Sequence, residues 1–384
     1  MQAGLDLLNV SIIGAGYVAD LYLRSFALYP DIRINGVYDI DTARRDAFCD
    51  YWKLTPIASM QALFEATDAQ GIILNLTNPH AHYDVSRACL EAGHHVYSEK
   101  PLAMQMDQAH ELTRLAETKG LRIASAPCSL LSETAQTLWA AVREDVAGKI
   151  RLVYAEMDDD FIPQAPYKKW TSDSGAPWPY ADEFRVGCTV EHAGYYLAWL
   201  LPMFGPVRTV VAASANLADK EIPAEECAPD FSIGALFFES GVVARLTCSI
   251  LAPHDHELQI IGDKGVISID ECWKNDTPVK YRKRFTLRRR LMQAPFAKKL
   301  RLPKGETHAK LGRKGAAAMN FALGPVEMLE AIRDARPCRM SPDLALHINE
   351  VTLALQNAGE TAGAVQMQTR FAPVAPMAWA EKLA

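Results

Sequence analysis

The chain has 384 residues and a mass of 42.4 kDa, enough for about two domains. Hydrophobic residues make up 49% and charged residues 22%, which excludes general disorder and a fibrous repeat. The formal net charge of −6 conceals one segment, residues 280–314, in which 14 basic residues stand against a single acid, Glu306; that segment carries +13 and the rest of the chain −19.

In chain order, the first third alternates two kinds of run. Apolar runs at residues 7–13, 32–38, 71–76, 94–97 and 121–126 predict strands. Between them, residues 18–28, 42–52, 59–66, 82–92 and 106–119 carry helical spacing, and Gly93 and Gly120 stand where helix C-caps belong. Strand–helix alternation with short connections implies right-handed βαβ units and a parallel, doubly wound sheet. After about residue 127 the pattern changes. A helix over 132–145 and a strand over 149–157 precede a Pro-rich, aromatic stretch at 161–184, and a strongly apolar helix follows over 188–201. Strands at 207–215, 231–238, 242–251, 256–261 and 266–269 then run consecutively, which predicts a largely antiparallel or mixed open sheet. Helices over 320–335 and 342–359 follow. The expected fold class is α/β, with a nucleotide-binding domain at 1–127 and a second α/β domain at 128–384 that carries a basic insertion near 274–314.

Eight cysteines are scattered singly, with no CxxC pair, which argues against a zinc ribbon, an iron–sulfur site or a disulfide framework. The N-terminal MQAGLDLLNV lacks a basic region and a long apolar core, so no signal peptide is expected. The longest strongly apolar run, around 195–204, is too short to span a bilayer. A reducing, cytoplasmic setting is expected.

The strongest local signal is Gly14-Ala15-Gly16-Tyr17-Val18-Ala19, between a predicted strand and a predicted helix. The first glycine permits the tight turn. The second lets the backbone approach a pyrophosphate, and a small third residue lets helix and strand pack closely. Phosphates then sit on the free N–H groups of the helix N-terminus. Asp39 ends the second strand, 23 positions after Gly16. A carboxylate there accepts from ribose hydroxyls and repels a 2′-phosphate, which favours NAD over NADP. Arg44 and Arg45 follow closely and keep NADP open.

A second motif is His95-Val96-Tyr97-Ser98-Glu99-Lys100-Pro101. With the glycine loop, it resembles the glucose–fructose oxidoreductase/inositol dehydrogenase (Gfo/Idh/MocA) family. Thr77-Asn78-Pro79-His80-Ala81-His82 resembles the family's TPNxxH element, with Asn and Pro exchanged. Residues 187–206 resemble the helix bearing the family's DxGxH or DxGxY motif, with His192 at the Asp position and Tyr196 at the His or Tyr position. The resemblance implies a Rossmann domain followed by a substrate domain, cofactor contacts from Gly14, Gly16, Tyr17, Val18, Asp39, Thr77, His82, Glu99 and Lys100, and a homo-oligomer (dimer or tetramer). His192 and Tyr196 are four residues apart and share one helix face. With Lys100 they form the expected acid/base set. A tyrosine with a pKa of about 10 is a poor base at neutral pH unless a cation such as the Lys100 ammonium favours its phenolate. Tyr196 is therefore expected as acid/base, Lys100 as its partner and substrate ligand, and His192 as orienter or relay; the first two roles can be exchanged.

Trp170 and Trp178 are candidate stacking surfaces for a sugar, and Arg185 a candidate grip for a carboxylate, sulfonate or phosphate. Pro253-His254-Asp255-His256 offers two imidazoles but no third ligand nearby in sequence, so a turn is expected and no metal. Asp158-Asp159-Asp160 reads as a solvated strand end. The basic segment reads as a solvated excursion, a subunit-contacting arm or a channel for an anionic substrate; no nucleic-acid motif accompanies it. The expected activity is hydride transfer between a sugar, sugar-acid or cyclitol hydroxyl and NAD. The alternatives are an NAD-dependent redox glycosidase and a non-catalytic sugar or nucleotide sensor.

Overall fold

A computed structural model describes residues 8–305 and 307–384; Leu7 and Glu306, which entered the expectations above, lie outside the described residues. The chain divides into two compact units. The first comprises Met1–Cys128, Pro166–Glu183 and Asn320–Asn349, and the second Ser129–Ala165, Phe184–Met319 and Glu350–Ala384.

In the first unit, β1 (Leu8–Ile13), β2 (Ile32–Tyr38), β3 (Ile72–Asn75), β4 (His95–Ser98) and β5 (Ile123–Ser125) form a parallel sheet in the order β2-β1-β3-β4-β5. Every residue of the central strand β3 is buried, as expected for a strand covered on both faces. The crossovers are helical: α1 (Tyr17–Phe26), α2 (Thr42–Trp52), α3 (Met60–Ala66), α4 (His82–Glu91) and α5 (Met106–Thr118). Leu63, Leu90, Ala109 and Leu112 from these helices pack with Ile13, Ile73, Val96 and Ile123 of the sheet in one apolar cluster. Burying each large side chain of this kind stabilises the fold by roughly 1.5–3 kcal/mol.

Two later pieces of chain complete this unit, which a cut at residue 127 does not anticipate. The segment Pro166–Glu183 is tied in by charge. Arg24 forms a bidentate pair with Asp173 at 2.5 Å, and the buried Asp20 carboxylate accepts from Trp52 Nε1 (2.7 Å), Ser174 N (3.1 Å) and Ser174 Oγ (2.7 Å). The segment Asn320–Asn349 is tied in by packing. Ala345 and Leu346 join the apolar cluster, Asn320 donates to Tyr29 Oη at 2.9 Å, and Gly324 lies against the buried Tyr97 ring.

The second unit is built on a ten-stranded mixed sheet. Its strands are β6 (Ile150–Asp158), β7 (Val207–Ala215), β8 (Phe231–Phe238), β9 (Val243–Ser249), β10 (Leu258–Gly262), β11 (Gly265–Ile269), β12 (Lys280–Leu287), β13 (Arg290–Gln293), β14 (Lys298–Lys299) and β15 (Val365–Gln366). The order is β13-β12-β11-β10-β6-β9-β8-β7-β15, with β14 on β12. Among the described strands of this sheet, only β6 and β9 pair in parallel. The helix α6 (Glu133–Arg143) precedes this sheet. After α7 (Tyr180–Val186), the 17-residue helix α8 (Cys188–Phe204) packs on β6, β8 and β9 and is almost wholly buried. The basic segment is largely exposed, as expected of a solvated excursion, but residues 280–299 are not irregular: they supply β12, β13 and β14 and extend the sheet.

A methyl group added at Gly324 would stand 2.2 Å from Tyr97 Oη and 2.6 Å from two of its ring carbons. Gly324→Ala is expected to cost about 1–3 kcal/mol by overpacking. Calorimetry should show the thermal midpoint falling by roughly 2–4 °C per kcal/mol for a unit of this size.

Candidate functional site

The glycine turn joins β1 to α1. Gly14 has φ +99°, and a Cβ there would lie 2.6 Å from Leu76 O and 2.7 Å from Leu76 C, so only glycine fits. Gly16 is the opposite case: a Cβ built on it meets nothing within 4 Å. Gly16 caps α1 without a side-chain hydrogen bond, which leaves the first helical N–H groups to a ligand. Tyr17 and Val18 form the first turn, both half-buried. A close-packed turn beside an open face fits a dinucleotide pyrophosphate.

Asp39 stands at the end of β2 and is almost fully buried. Its carboxylate accepts from Ala15 N (2.7 Å), Asp41 N (2.8 Å) and both arms of Arg44 (3.0 and 2.7 Å). Burial opposes its charge, but the Arg44 and backbone bonds outweigh burial and hold the carboxyl below its ordinary range. Asp39 thus fixes the glycine turn as well as the ribose end of the cradle, and it neutralises Arg44.

The Glu99–Lys100–Pro101 turn leaves β4. Glu99 accepts from Tyr22 Oη at 2.6 Å and from Lys100 N at 3.1 Å, and its own N–H donates to Asn75 O at 2.9 Å. Lys100 is half-buried beyond it. Thr77 donates from Oγ to Asn75 Oδ1 at 2.6 Å. His82 has no exposed surface. Its ring nitrogens lie 2.8 Å from Pro101 O and 3.0 Å from Thr77 O, so it pins the two loops together and offers no face to a cofactor. The expected cofactor contact at His82 is therefore corrected to a positioning role.

In the second unit, one end of three adjacent strands gathers a cluster of imidazoles and carboxylates. Asp159 follows β6, His254 and His256 precede β10, and Glu271 and Trp273 follow β11. Glu271 lies 3.0 Å from His254 Nε2 and 3.0 Å from His256 Nδ1, and it accepts from Trp273 N at 2.8 Å. Burial opposes its charge, yet His256, Trp273 N and His254 hold its carboxyl at about 2. Asp159 Oδ1 is 3.7 Å from His254 Nδ1, and Asp159 Oδ2 is 3.6 Å from His192 Nε2. Burial raises the Asp159 carboxyl above its usual range. Burial also opposes charge on His254, but Glu271 and Asp159 outweigh it and raise its pKa. The indole of Trp273 lies within 6.4 Å of His192 and 4.4 Å of His256, ring centre to ring centre.

Tyr196 does not join this cluster as an acid/base. It is fully buried, its hydroxyl donates to His256 O at 2.5 Å, and burial drives its pKa well above 10. A phenol that is dry and committed to a carbonyl cannot hand its proton to a substrate. Arg185 is likewise engaged, with Glu226 at 2.7 Å, and so is a poor grip for a substrate anion. Trp170 and Trp178 lie in a small hairpin of the first unit, half-exposed, with ring centres 5.2 Å apart. Glu271 and Trp273 carry no signal in the sequence, and Asp159 reads as a solvated strand end but is largely buried. His254 and His256 lack a third group nearby in sequence, whereas the fold brings Asp159, 95 positions upstream, to 3.7 Å from His254 Nδ1.

Two family models match the chain. One, described as an oxidoreductase family with an NAD-binding Rossmann fold, covers residues 8–126. The other, the GFO/IDH/MocA C-terminal domain, covers residues 135–268. The chain belongs to the Gfo/Idh/MocA oxidoreductase family. Among the proteins it is similar to is an uncharacterised oxidoreductase, YfiI of Bacillus subtilis (strain 168), 26% identical over 254 residues, or 62% of each chain. The chain thus spans less than two thirds of that relative. The D-glucoside 3-dehydrogenase of Escherichia coli (strain K12) is 30% identical over 151 residues, 38% of this chain and 42% of its own. The structure of the WlbA dehydrogenase from Bordetella pertussis, in complex with NADH and UDP-GlcNAcA, superposes with a TM-score of 0.72 at 15% identity, covering 94% of this chain and 98% of that one.

Removing the Tyr196 hydroxyl leaves the buried His256 carbonyl without this donor. Tyr196→Phe is expected to cost about 1–3 kcal/mol of stability and to leave turnover within a few-fold of the parent. Thermal denaturation and steady-state kinetics on one preparation check this; a large fall in kcat with unchanged stability would restore the catalytic assignment.

Proposed function

We propose that this chain oxidises a secondary hydroxyl of a sugar, sugar acid or cyclitol with NAD, or runs the reverse reduction. The observation that carries this reading is the dinucleotide cradle of Gly14 and Gly16 beside the intact Glu99–Lys100–Pro101 turn. A bound nicotinamide would supply the hydride acceptor for the carbinol carbon. The protein must bind the sugar, orient the hydroxyl and move its proton. His192 takes that proton at Nε2, and the Asp159 carboxylate, 3.6 Å away, stabilises the resulting imidazolium. The Lys100 ammonium donates to the developing alkoxide. Half-exposed Trp170 and Trp178 offer ring faces of the kind that stack on sugars. The relatives act in this area: one is named for glucoside 3-dehydrogenation, and another structure holds a nucleotide sugar acid.

A panel of sugars, acidic sugars and aryl glycosides is the test. Stoichiometric NADH with one polyol is the expected result; aglycone release with no net NADH would indicate the glycosidase reaction instead. Lys100→Ala and His192→Ala should each lower kcat roughly 10²–10⁴-fold, as expected for lost acid–base or alkoxide support. Turnover unchanged in both would overturn the assignment.

The NAD preference rests on Asp39, which repels a 2′-phosphate and neutralises Arg44. NAD should bind at least about tenfold more tightly than NADP. Asp39→Ser frees Arg44 for a 2′-phosphate and should shift the ratio towards NADP by about 10- to 100-fold, the worth of one charge-assisted bond. Equal affinities in the parent protein, read by fluorescence titration, would sink the preference.

A further inference from the structure

The cluster in the second unit has the donor set and outer shell of a metal centre. We propose that Asp159, His254 and His256 bind a divalent transition ion of the zinc type, with Glu271 as the outer carboxylate that orients both imidazoles. One ligand atom from each of the three lies within 4.8 Å of the others. Imidazole nitrogen and carboxylate oxygen are the donors zinc takes, at about 2.0–2.2 Å. Tetrahedral donors at that radius stand roughly 3.4 Å apart. His254 Nδ1 and Asp159 Oδ1 are at 3.7 Å, so only a small closing movement is needed on that side.

The placement of Glu271 supports the assignment. It stands 3.0 Å from His254 Nε2 and 3.0 Å from His256 Nδ1. The opposite ring nitrogens are therefore the ones left to face a metal. One is His254 Nδ1, which faces Asp159. The other is His256 Nε2, which is buried and has no hydrogen-bond partner among the described residues. A buried, unpartnered ring nitrogen on a histidine whose ring centre lies 4.1 Å from that of His254 is a candidate ligand atom. A carboxylate behind each metal-bound histidine is the usual outer-shell arrangement, and here one carboxylate serves two rings. Three protein ligands leave at least one coordination position for an oxygen ligand, and the Trp273 indole Nε1–H, buried and unpartnered among the described residues, is a nearby donor for one. The alternative triple, His256, Glu271 and Cys272, reuses the His256 nitrogen already bonded to Glu271.

The test is binding, so its outcome is independent of whether the substrate class proposed above is right. Full-length, tag-free protein is stripped with chelator and titrated with CoCl2, following the visible d–d bands, and then with ZnSO4 as competitor. One equivalent of Co2+ with intense four- or five-coordinate bands is expected, displaced by zinc. Asp159→Asn and His254→Gln, both on the accessible side of the cluster, should each weaken Co2+ binding by at least about 100-fold at unchanged thermal midpoint of the metal-free protein. Glu271→Gln should weaken it about 10- to 100-fold. The proposal is overturned if the parent binds no stoichiometric Co2+, if Asp159→Asn and His254→Gln bind as the parent does, or if Cys272→Ser abolishes binding while Asp159→Asn does not.

Discussion

One carboxylate organises the second unit's working end. Glu271 accepts from two imidazoles and a backbone amide, and it does so from a half-buried position where its charge would otherwise be costly. Those bonds decide which nitrogen of each ring carries the proton. They also bring the strand end after β11 and the loop before β10 into one place, where Asp159 arrives from β6. The same loop is held from beneath by Tyr196, whose hydroxyl reaches the His256 carbonyl. The helix motif that suggests a catalytic tyrosine is thus spent on holding the backbone of a histidine, while His192, one turn earlier, faces the cluster.

In the first unit, a comparable economy rests on Asp39. Its four accepted bonds fix the glycine turn and bind Arg44 in a single arrangement. The carboxylate at the end of β2 is therefore committed to shaping the cradle. Asn75, Thr77, His82 and Glu99 form a polar layer at the ends of β3 and β4 that ties the two loops together. Lys100 projects from a turn held on both sides.

Most of the fold was legible in the sequence because its signals are local. Period-2 and period-3.6 runs, glycines at helix ends and the glycine turn place β1 to β5 and their crossovers almost to the residue. The two pieces of chain that return to the first unit were not legible, because Arg24–Asp173 and Gly324–Tyr97 join residues about 150 and 230 positions apart. The candidate site divides the same way. Gly14, Asp39 and Lys100 stand in contiguous motifs. Asp159, His254 and Glu271 meet only because β6, β10 and β11 are neighbours in the sheet, an order that no single stretch encodes. Tyr196 misled because helical spacing gives a face but not whether that face is dry.

The strands drawn from the basic segment have a consequence for the protein's solution behaviour. A sheet that ends on an open strand offers unpaired N–H and C=O groups to any other strand, including the same strand of another copy. Here the terminal strand β13 carries Arg290 with exposed Leu291 and Met292, and β12, one strand in, carries Lys280, Arg282, Lys283 and Arg284. Two such edges brought together would oppose like charges at close range. Basic residues at and beside such an edge oppose its pairing with a second copy of itself.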